Sequence, residues 1–379
     1  MVLFGADRVR EFAHLFTGRV ALLTSPSGRT RDNRSTISVL QECCDLQLLL
    51  APEHGVRGDK AAGALFEDEI DPESGLTVRS LYTKESKRLS QVNLDRFDTL
   101  VYDIADVGCR YYTFISTLRY CIADCAAAGK RLVVLDRPNP LGDRVEGGLL
   151  QMECSSFVGC YDLPVCYGLS CGELAVMMNS ELGLNCDLQI VPCGGLTRQM
   201  TFRDWNHYWV MPSLGIPRFE TALLYPGTCL IEGTNLSEGR GTADPFAIIG
   251  APFIQAEDFC RAFNGLHCGG VTATPVYFTP TTSKHQGTLC GGIHIHITDE
   301  SALEPVTLGV KLLDLIRRMY PDDFRFLDPF REGGKPFISL LAGHREFESP
   351  DWDAEDLLDR YKTESAAFRS RKAPYEIYP

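Results

Sequence analysis

Short apolar runs that alternate with helix-like segments restrict the possible folds of this chain more than any other feature. Six runs have the length of buried strands: residues 19–24, 46–51, 79–82, 99–104, 131–135 and 187–192. Helix-like segments lie between them, among them 35–44, 111–128 and 170–182. Continuously apolar strands joined by helices are typical of a parallel sheet covered on both faces. We therefore expect an α/β fold with a Rossmann-like, doubly wound, mostly parallel sheet.

The last third of the chain has a different pattern. Residues 273–278 and 292–298 have strand character, and two long helical segments, 302–319 and 352–370, follow them. This arrangement predicts a smaller C-terminal α+β auxiliary domain. We place the Rossmann-like domain at 1–245 and the auxiliary domain at 246–379, which suits a chain of 379 residues.

Polar residues gather where the predicted strands end. In doubly wound sheets, ligands bind beyond the carboxyl ends of the strands. Four such ends carry reactive side chains, at 25–28, 52–55, 103–110 and 136–139. The densest is Pro52-Glu53-His54-Gly55, with Arg57 close behind. Burial can raise the pKa of a carboxyl group and make it a general acid, so this cluster predicts catalysis; the alternative is a turn whose charges pair with each other.

Two further strand ends each allow a functional and a structural interpretation. Asp103 and Asp106 precede Arg110 and Tyr112, a set that could position an acid and bind a sugar, or could cap a helix and form a salt bridge. After the next strand, the rigid turn 136–142 offers Arg137 and Asn139 as ligands, or forms a structural turn with an Asp136–Arg137 pair.

A polar, glycine-rich segment at 230–245 lies between the apolar runs 221–231 and 246–253. Its composition predicts a loop that cannot be core, with Gly233, Gly239 and Gly241 allowing tight turns and close backbone approach. A polar loop held between buried segments predicts a functional site, and the alternative is a solvated surface loop.

Composition and motifs exclude several classes of function. A formal net charge of −13 leaves no basic surplus for nucleic acid. No Gly-x-Gly-x-x-Gly follows the first strand and no phosphate-loop motif occurs, so a nucleotide cofactor is not expected. No Gly-x-Ser-x-Gly supports serine hydrolase chemistry. His294 and His296 share one face of a strand without an evident third ligand, so we expect sheet-surface residues and no metal site. We expect no cofactor of any kind.

Fifteen cysteines occur without a Cys-x-x-Cys pair, which predicts reduced thiols rather than zinc or thioredoxin-like chemistry. The first residues lack signal-peptide character, and no apolar run reaches the roughly 18 residues that span a bilayer. We expect a cytoplasmic protein without membrane partners, or alternatively an exported one whose leader is missing from this sequence. The oligomeric state stays open.

Several motifs, in this order, resemble one known family. They are Pro52-Glu53-His54-Gly55, the Asp103–Thr113 segment, the turn 135–141, Tyr225-Pro226-Gly227-Thr228 and the string Glu-Gly-Thr-Asn-x-Ser-Glu-Gly-Arg-Gly-Thr at 232–242. Together they are similar to the NamZ-like exo-β-N-acetylmuramidases, formerly a bacterial domain of unknown function. The resemblance runs from about residue 20 to 253 and continues more weakly through 284–290.

The resemblance implies a glycoside hydrolase that releases N-acetylmuramic acid from the non-reducing ends of peptidoglycan fragments. It implies an active site in a cleft between a Rossmann-like domain and an auxiliary domain. Glu53 is then the first catalytic residue, with Glu232, Glu238 and Asp106 as candidates for the second carboxylate. The expected partner is a saccharide or muropeptide, and the substrate-binding candidates are His54, Arg57, Arg110, Tyr112, Arg137, Asn139, Tyr167, Asn235 and Arg240. Its arginines suit the lactyl carboxylate of muramic acid.

The chain departs from the family pattern at two places. Cys166-Tyr167-Gly168 stands where the family has Arg-His-Gly, and Leu196 lies where a tryptophan is usual. A diverged hydrolase acting on a related amino sugar is one alternative. A non-catalytic sensor of cell-wall sugars is another. An amidase or esterase would need a nucleophile–base pair, which the sequence does not display.

Overall fold

The computed structural model describes residues 1–52, 55–58, 68–82 and 86–379. Its main element is a seven-stranded sheet with the order β3-β4-β2-β1-β5-β6-β9. All neighbours pair in parallel except β3 and β4, which are antiparallel. The strands are β1 (Arg19–Thr24), β2 (Asp45–Ala51), β3 (Glu69–Ile70), β4 (Thr77–Ser80), β5 (Thr99–Asp103), β6 (Arg131–Leu135) and β9 (Asp187–Val191). A separate two-stranded ladder joins β7 (Val145–Glu146) to β8 (Cys166–Tyr167).

Helices cover both faces of the large sheet, so its central strands are buried. Every residue of β5 is buried, and so is every residue of β1 after Arg19. The helices that contact the sheet are α1 (Thr36–Cys43), α3 (Phe114–Ala128) and α4 (Cys171–Glu181); this part of the chain also contains α2 (Gln91–Leu94) and α5 (Phe219–Thr228), and α5 packs chiefly against the helix Pro305–Met319. The predicted fold class is therefore confirmed, because apolar strands joined by helices formed a doubly wound, mostly parallel sheet.

Local signals set the ends of these helices. The Ser170 hydroxyl accepts from Glu173 N at 3.2 Å, and the Glu173 carboxylate accepts from Ser170 N at 2.9 Å, so these two residues form a capping box at the start of α4. Gly129 ends α3 in the left-handed region at φ 62°. Helix α3 begins at Phe114, three residues later than predicted, since Tyr111 and Tyr112 belong to the loop before it.

The C-terminal part is smaller and built around a three-stranded antiparallel sheet with the order β10-β12-β11. Its strands are β10 (Ile248–Ala251), β11 (Val271–Phe278) and β12 (Cys290–Ile297). Its helices are α6 (Ala256–Asn264), α7 (Pro305–Met319), α8 (Phe337–Ala342) and α9 (Ala354–Lys372). The predicted α+β character is confirmed. The boundary at 245/246 stays a proposal; β10 begins two residues beyond it.

Within the described ranges, no helix has the length and apolar character that a membrane crossing requires. Each of the fifteen cysteines is a free thiol.

Candidate active site

A pocket lies at the carboxyl edge of the sheet, beyond β1, β5 and β6. Its cavity volume is about 50 Å³. Ser27 and Arg29 follow β1, Ala105 and Asp106 follow β5, and Arg137 follows β6. Parallel strands bring their carboxyl ends to one edge, which explains why segments distant in sequence meet here. All lining residues belong to the predicted domain 1–245.

Asp106 is the carboxyl group of this pocket. Its side chain accepts from the Tyr167 hydroxyl at 2.7 Å, from Gly108 N at 2.9 Å and from Val107 N. Burial raises the pKa of Asp106 to about 6, although these hydrogen bonds lower it. Burial also raises the pKa of Tyr167 well above its ordinary value, so the phenol stays a donor. Asp106 can therefore exchange a proton near neutral pH.

Arg137 faces the same pocket but is held by a carboxylate. Its Nε and Nη2 bind the two Asp103 oxygens at 2.6 and 3.0 Å, and both side chains are buried. The expected structural alternative, an Asp136–Arg137 pair, is wrong. The Asp136 carboxylate instead accepts hydrogen bonds at the start of α4, from Gly172 N at 2.7 Å and from Ser170 Oγ at 2.8 Å. Burial raises the pKa of Asp136 to about 6.

The roof of the pocket is a segment that our sequence reasoning missed. Residues 202–212 contribute Phe202, Trp205, His207, Tyr208, Trp209, Val210 and Pro212. Arg31 of the β1–α1 loop ties this segment to the sheet by donating to Trp205 O at 3.1 Å and Asn206 O at 2.8 Å. A signal existed, because two of the three tryptophans of the chain lie within five residues of each other here. These tryptophans were overlooked because the sequence of segment 202–212 has no helical or strand periodicity.

The glycine-rich segment 230–245 forms a second group of charges. Arg240 Nε binds Glu232 at 2.7 Å and lies 3.5 Å from Glu238, and Lys284 Nζ binds Glu238 at 2.9 Å. Asn235 is structural, since its amide bridges Asp323 O at 2.8 Å and Arg325 N at 3.0 Å.

The expectation that this segment cannot be core is wrong. Thr234, Leu236, Ser237 and Glu238 are buried, the last with 2% of its surface exposed. Burial is possible because partners remote in sequence satisfy the polar groups, for example Lys284 Nζ on Thr234 O at 2.9 Å. The glycine prediction is confirmed at Gly239 and Gly241, whose φ values are 81° and 79°.

Aromatic rings connect the Asp106 loop to this second group. Tyr112 packs edge-on against Tyr225, with ring centroids 6.1 Å apart. Tyr225 packs against Phe246 at 4.8 Å, and the Arg240 guanidinium lies 5.0 Å from the Phe246 ring. The aromatic contacts make one continuous structure from the sheet edge to the auxiliary domain.

Three predicted ligands are occupied by structural contacts. Arg110 is fully buried and donates to the carbonyls of Gly148, Leu163, Leu341 and Ala342 at 2.6–2.9 Å. The Asn139 amide bonds Leu141 N and Leu169 O. Arg57 forms a bidentate salt bridge with Asp71, in which Nε donates to Oδ1 at 2.9 Å and Nη2 donates to Oδ2 at 2.8 Å. These contacts lower the pKa of the Asp71 carboxyl group to about 2. None of these three is free to bind a ligand in this arrangement.

Glu53 and His54 lie outside the described residues. The strand before them, β2, is the neighbour of β1 in the sheet. Their roles stay predictions.

Among the described residues, no three histidine, cysteine or acidic side chains come together as metal ligands do. His294 and His296 share one sheet face, with ring centroids 4.3 Å apart. His294 contacts Asp244 at 2.9 Å and His296 contacts Thr274 at 2.9 Å.

Thiols near Asp106 are poorly suited to covalent catalysis, because burial raises the pKa of Cys109, Cys166 and Cys171 and disfavours the thiolate.

Sequence comparison decides the family. The exo-beta-N-acetylmuramidase NamZ N-terminal model matches residues 20–220, and the NamZ C-terminal model matches residues 223–378. The chain belongs to the NamZ exo-β-N-acetylmuramidase family. It is 40% identical over 366 residues to the peptidoglycan beta-N-acetylmuramidase NamZ of Bacillus subtilis (strain 168), covering 95% of this chain and 87% of the relative.

Two solved structures are similar to the chain along its whole length. A DUF1343 family protein from Bacteroides fragilis NCTC 9343 is 31% identical and superposes with a TM-score of 0.90, covering 100% of this chain and 99% of the other. A second DUF1343 protein from the same organism is 28% identical with a TM-score of 0.77 and the same coverage.

Proposed function

We propose that this protein is an exo-acting β-N-acetylmuramidase that releases N-acetylmuramic acid from the non-reducing ends of peptidoglycan fragments. Membership of the NamZ family gives the reaction class. Asp106 is the observation that connects the proposal to a site, because this carboxyl group has a pKa of about 6 and lines the pocket at the carboxyl edge of the sheet. A glycosidase needs one carboxyl group that can hold a proton near neutral pH.

Two carboxyl groups share the chemistry in this proposal. Glu53 and Asp106 follow strands β2 and β5, which flank β1 in the sheet. One protonates the glycosidic oxygen while the other, ionised, assists attack at the anomeric carbon. The hydrogen bond from Tyr167 fixes the rotamer of Asp106, so this residue of the diverged Cys-Tyr-Gly stretch acts as a positioning residue.

Glu232 and Glu238 have a different role. Arg240 and Lys284 neutralise them, and Glu238 is almost fully buried. We propose that they hold the 230–245 segment against the auxiliary domain instead of exchanging protons with substrate.

We further propose that the enzyme works in a reducing compartment on fragments recovered from the cell wall. All fifteen cysteines are free thiols, which suits such a compartment.

Hydrolysis of para-nitrophenyl β-N-acetylmuraminide, beside its β-N-acetylglucosaminide counterpart, tests the proposal. We expect turnover of the muramic substrate and a loss of about 10²–10⁴-fold in kcat in Glu53→Gln, the usual contribution of general acid–base catalysis. Saturable sugar binding that persists in Glu53→Gln, without turnover by the wild type, would instead identify a sugar sensor.

A further inference from the structure

Most of the arginines predicted to bind an anionic substrate are already neutralised. Arg137 binds Asp103, Arg57 binds Asp71, and Arg240 binds Glu232. The fourth, Arg110, is buried among four backbone carbonyls. A guanidinium that already neutralises a carboxylate has little to gain from a second one.

Arg29 differs from all of these. It lines the pocket, and its Nη1 contacts only neutral oxygens, Asn33 O at 3.1 Å and Asn33 Oδ1 at 3.2 Å. Within the part of the chain that the structure describes, Arg29 forms no salt bridge and its side chain donates to Asn33, although the protein carries a net charge of −13. Backbone contacts hold its position, since Arg29 O accepts from Arg137 Nη2 at 2.9 Å.

We propose that Arg29 binds the lactyl carboxylate of the substrate and makes the pocket select muramic acid over glucosamine. This inference rests on the proposed function. The two sugars differ only by the lactyl ether, so the carboxylate is the group by which a site can distinguish them. An arginine fork matches a carboxylate in geometry, and the remaining donors of Arg29 bind no acidic side chain among residues that the structure describes.

The other residues that line the pocket have the chemical character that suits the sugar carrying this carboxylate. Trp209 and Phe202 pack edge-on, with ring centroids 5.0 Å apart, and both line the pocket with apolar surface. His207 Nδ1 lies 2.8 Å from Tyr208 O, which assigns the ring proton to Nδ1 and leaves the buried Nε2 as an acceptor that has no partner among the described residues. Apolar ring faces and an open acceptor suit the mixed surface of an N-acetyl sugar.

The test compares Arg29→Gln and Arg29→Lys with the matched control Arg34→Gln. Arg34 lies five residues away, and its guanidinium pairs with Glu42 at the surface. We expect Arg29→Gln to lower kcat/KM for the muramic substrate about 10- to 100-fold, chiefly through KM, as the loss of a charged hydrogen bond predicts. Arg29→Lys should retain part of the activity, and Arg34→Gln should match the wild type.

Calorimetric titration with free N-acetylmuramic acid and N-acetylglucosamine keeps the two proposals separable. Preference for N-acetylmuramic acid that falls about 10-fold or more in Arg29→Gln, with an unchanged melting temperature, supports the inference even if the wild type hydrolyses neither substrate. Equal muramic acid affinity in the wild type and Arg29→Gln, or no binding by the wild type, overturns it. Hydrolysis of the muramic substrate by Arg29→Gln with the wild-type kcat/KM overturns it too, while leaving the hydrolase proposal intact.

Discussion

At the scale of single residues, Asp106 shows how burial prepares a carboxyl group for proton transfer. Its surroundings raise its pKa, while three donors keep it in one orientation. An isolated carboxyl group would be ionised throughout the neutral range. In the proposed function, proton transfer by Asp106 therefore depends on the environment that β5 and the following loop provide.

This environment predicts a measurable effect of pH on stability. Since the pKa of Asp106 rises from 3.8 to about 6 on folding, the folded state keeps a proton that the unfolded chain has lost between these values. Stability is therefore lost from this group as pH rises through that window. We expect Asp106→Asn to gain on the order of 2–3 kcal/mol relative to the wild type between pH 4 and pH 7.

Urea unfolding at several pH values measures this difference. The comparison must be made between variant and wild type, because the pKa of Asp136 is also raised to about 6 and affects both proteins equally. A variant–wild-type difference that is constant from pH 4 to pH 7 would contradict the account of Asp106.

At the scale of elements, α4 is fixed by its first turn. The Ser170 hydroxyl accepts from Glu173 N and donates to Asp136 Oδ2 at 2.8 Å, which ties the helix start to the end of β6. We expect Ser170→Ala to lower the free energy of unfolding by about 1–2 kcal/mol, as the loss of an N-cap and a buried hydrogen bond predicts. Ser170→Thr, which keeps the hydroxyl, is the control, and an unchanged urea midpoint in Ser170→Ala would refute this role.

Regular elements were predictable from sequence because their signals are local. The bounds of β1 and β6 match the apolar runs, and the capping box at Ser170 follows from two residues three apart. Pairing between loops was not predictable in the same way. Nothing in the turn 136–142 shows that Arg137 reaches back to Asp103, since that contact depends on the adjacency of β5 and β6.

The same distinction between local signals and contacts distant in sequence explains which candidate site residues could be predicted. Asp106 could be predicted because it lies just beyond a buried strand, and the structure places it in the pocket. Arg29 was missed because a lone arginine in a polar loop is common. It became a candidate only when the structure showed that the other arginines already bind carboxylates or backbone carbonyls. Burial of the 230–245 segment was missed because its partners, such as Lys284, lie far along the chain.

At the scale of the whole molecule, the buried side chain of Arg110 connects the two parts of the protein. It leaves the Asp106 loop and binds carbonyls before β8 and at the end of α8, so it connects the Rossmann-like part to the auxiliary part. We expect Arg110→Met to cost about 3–5 kcal/mol, because four buried carbonyls lose their donor.

Urea unfolding measures that cost, and the surface variant Arg345→Gln provides a comparison in which the midpoint should not move. If Arg110→Met unfolds at the wild-type midpoint, the contacts of Arg110 with the backbone carbonyls do not hold the two parts together.

The most direct test of the account is digestion of a tetrasaccharide that alternates muramic acid and glucosamine and carries muramic acid at its non-reducing end. Products would be followed over time by mass spectrometry. The account predicts free N-acetylmuramic acid and the matching trisaccharide as the first products, and neither from Glu53→Gln. Disaccharides as the first products, or an intact substrate after prolonged incubation with the wild type, would contradict it.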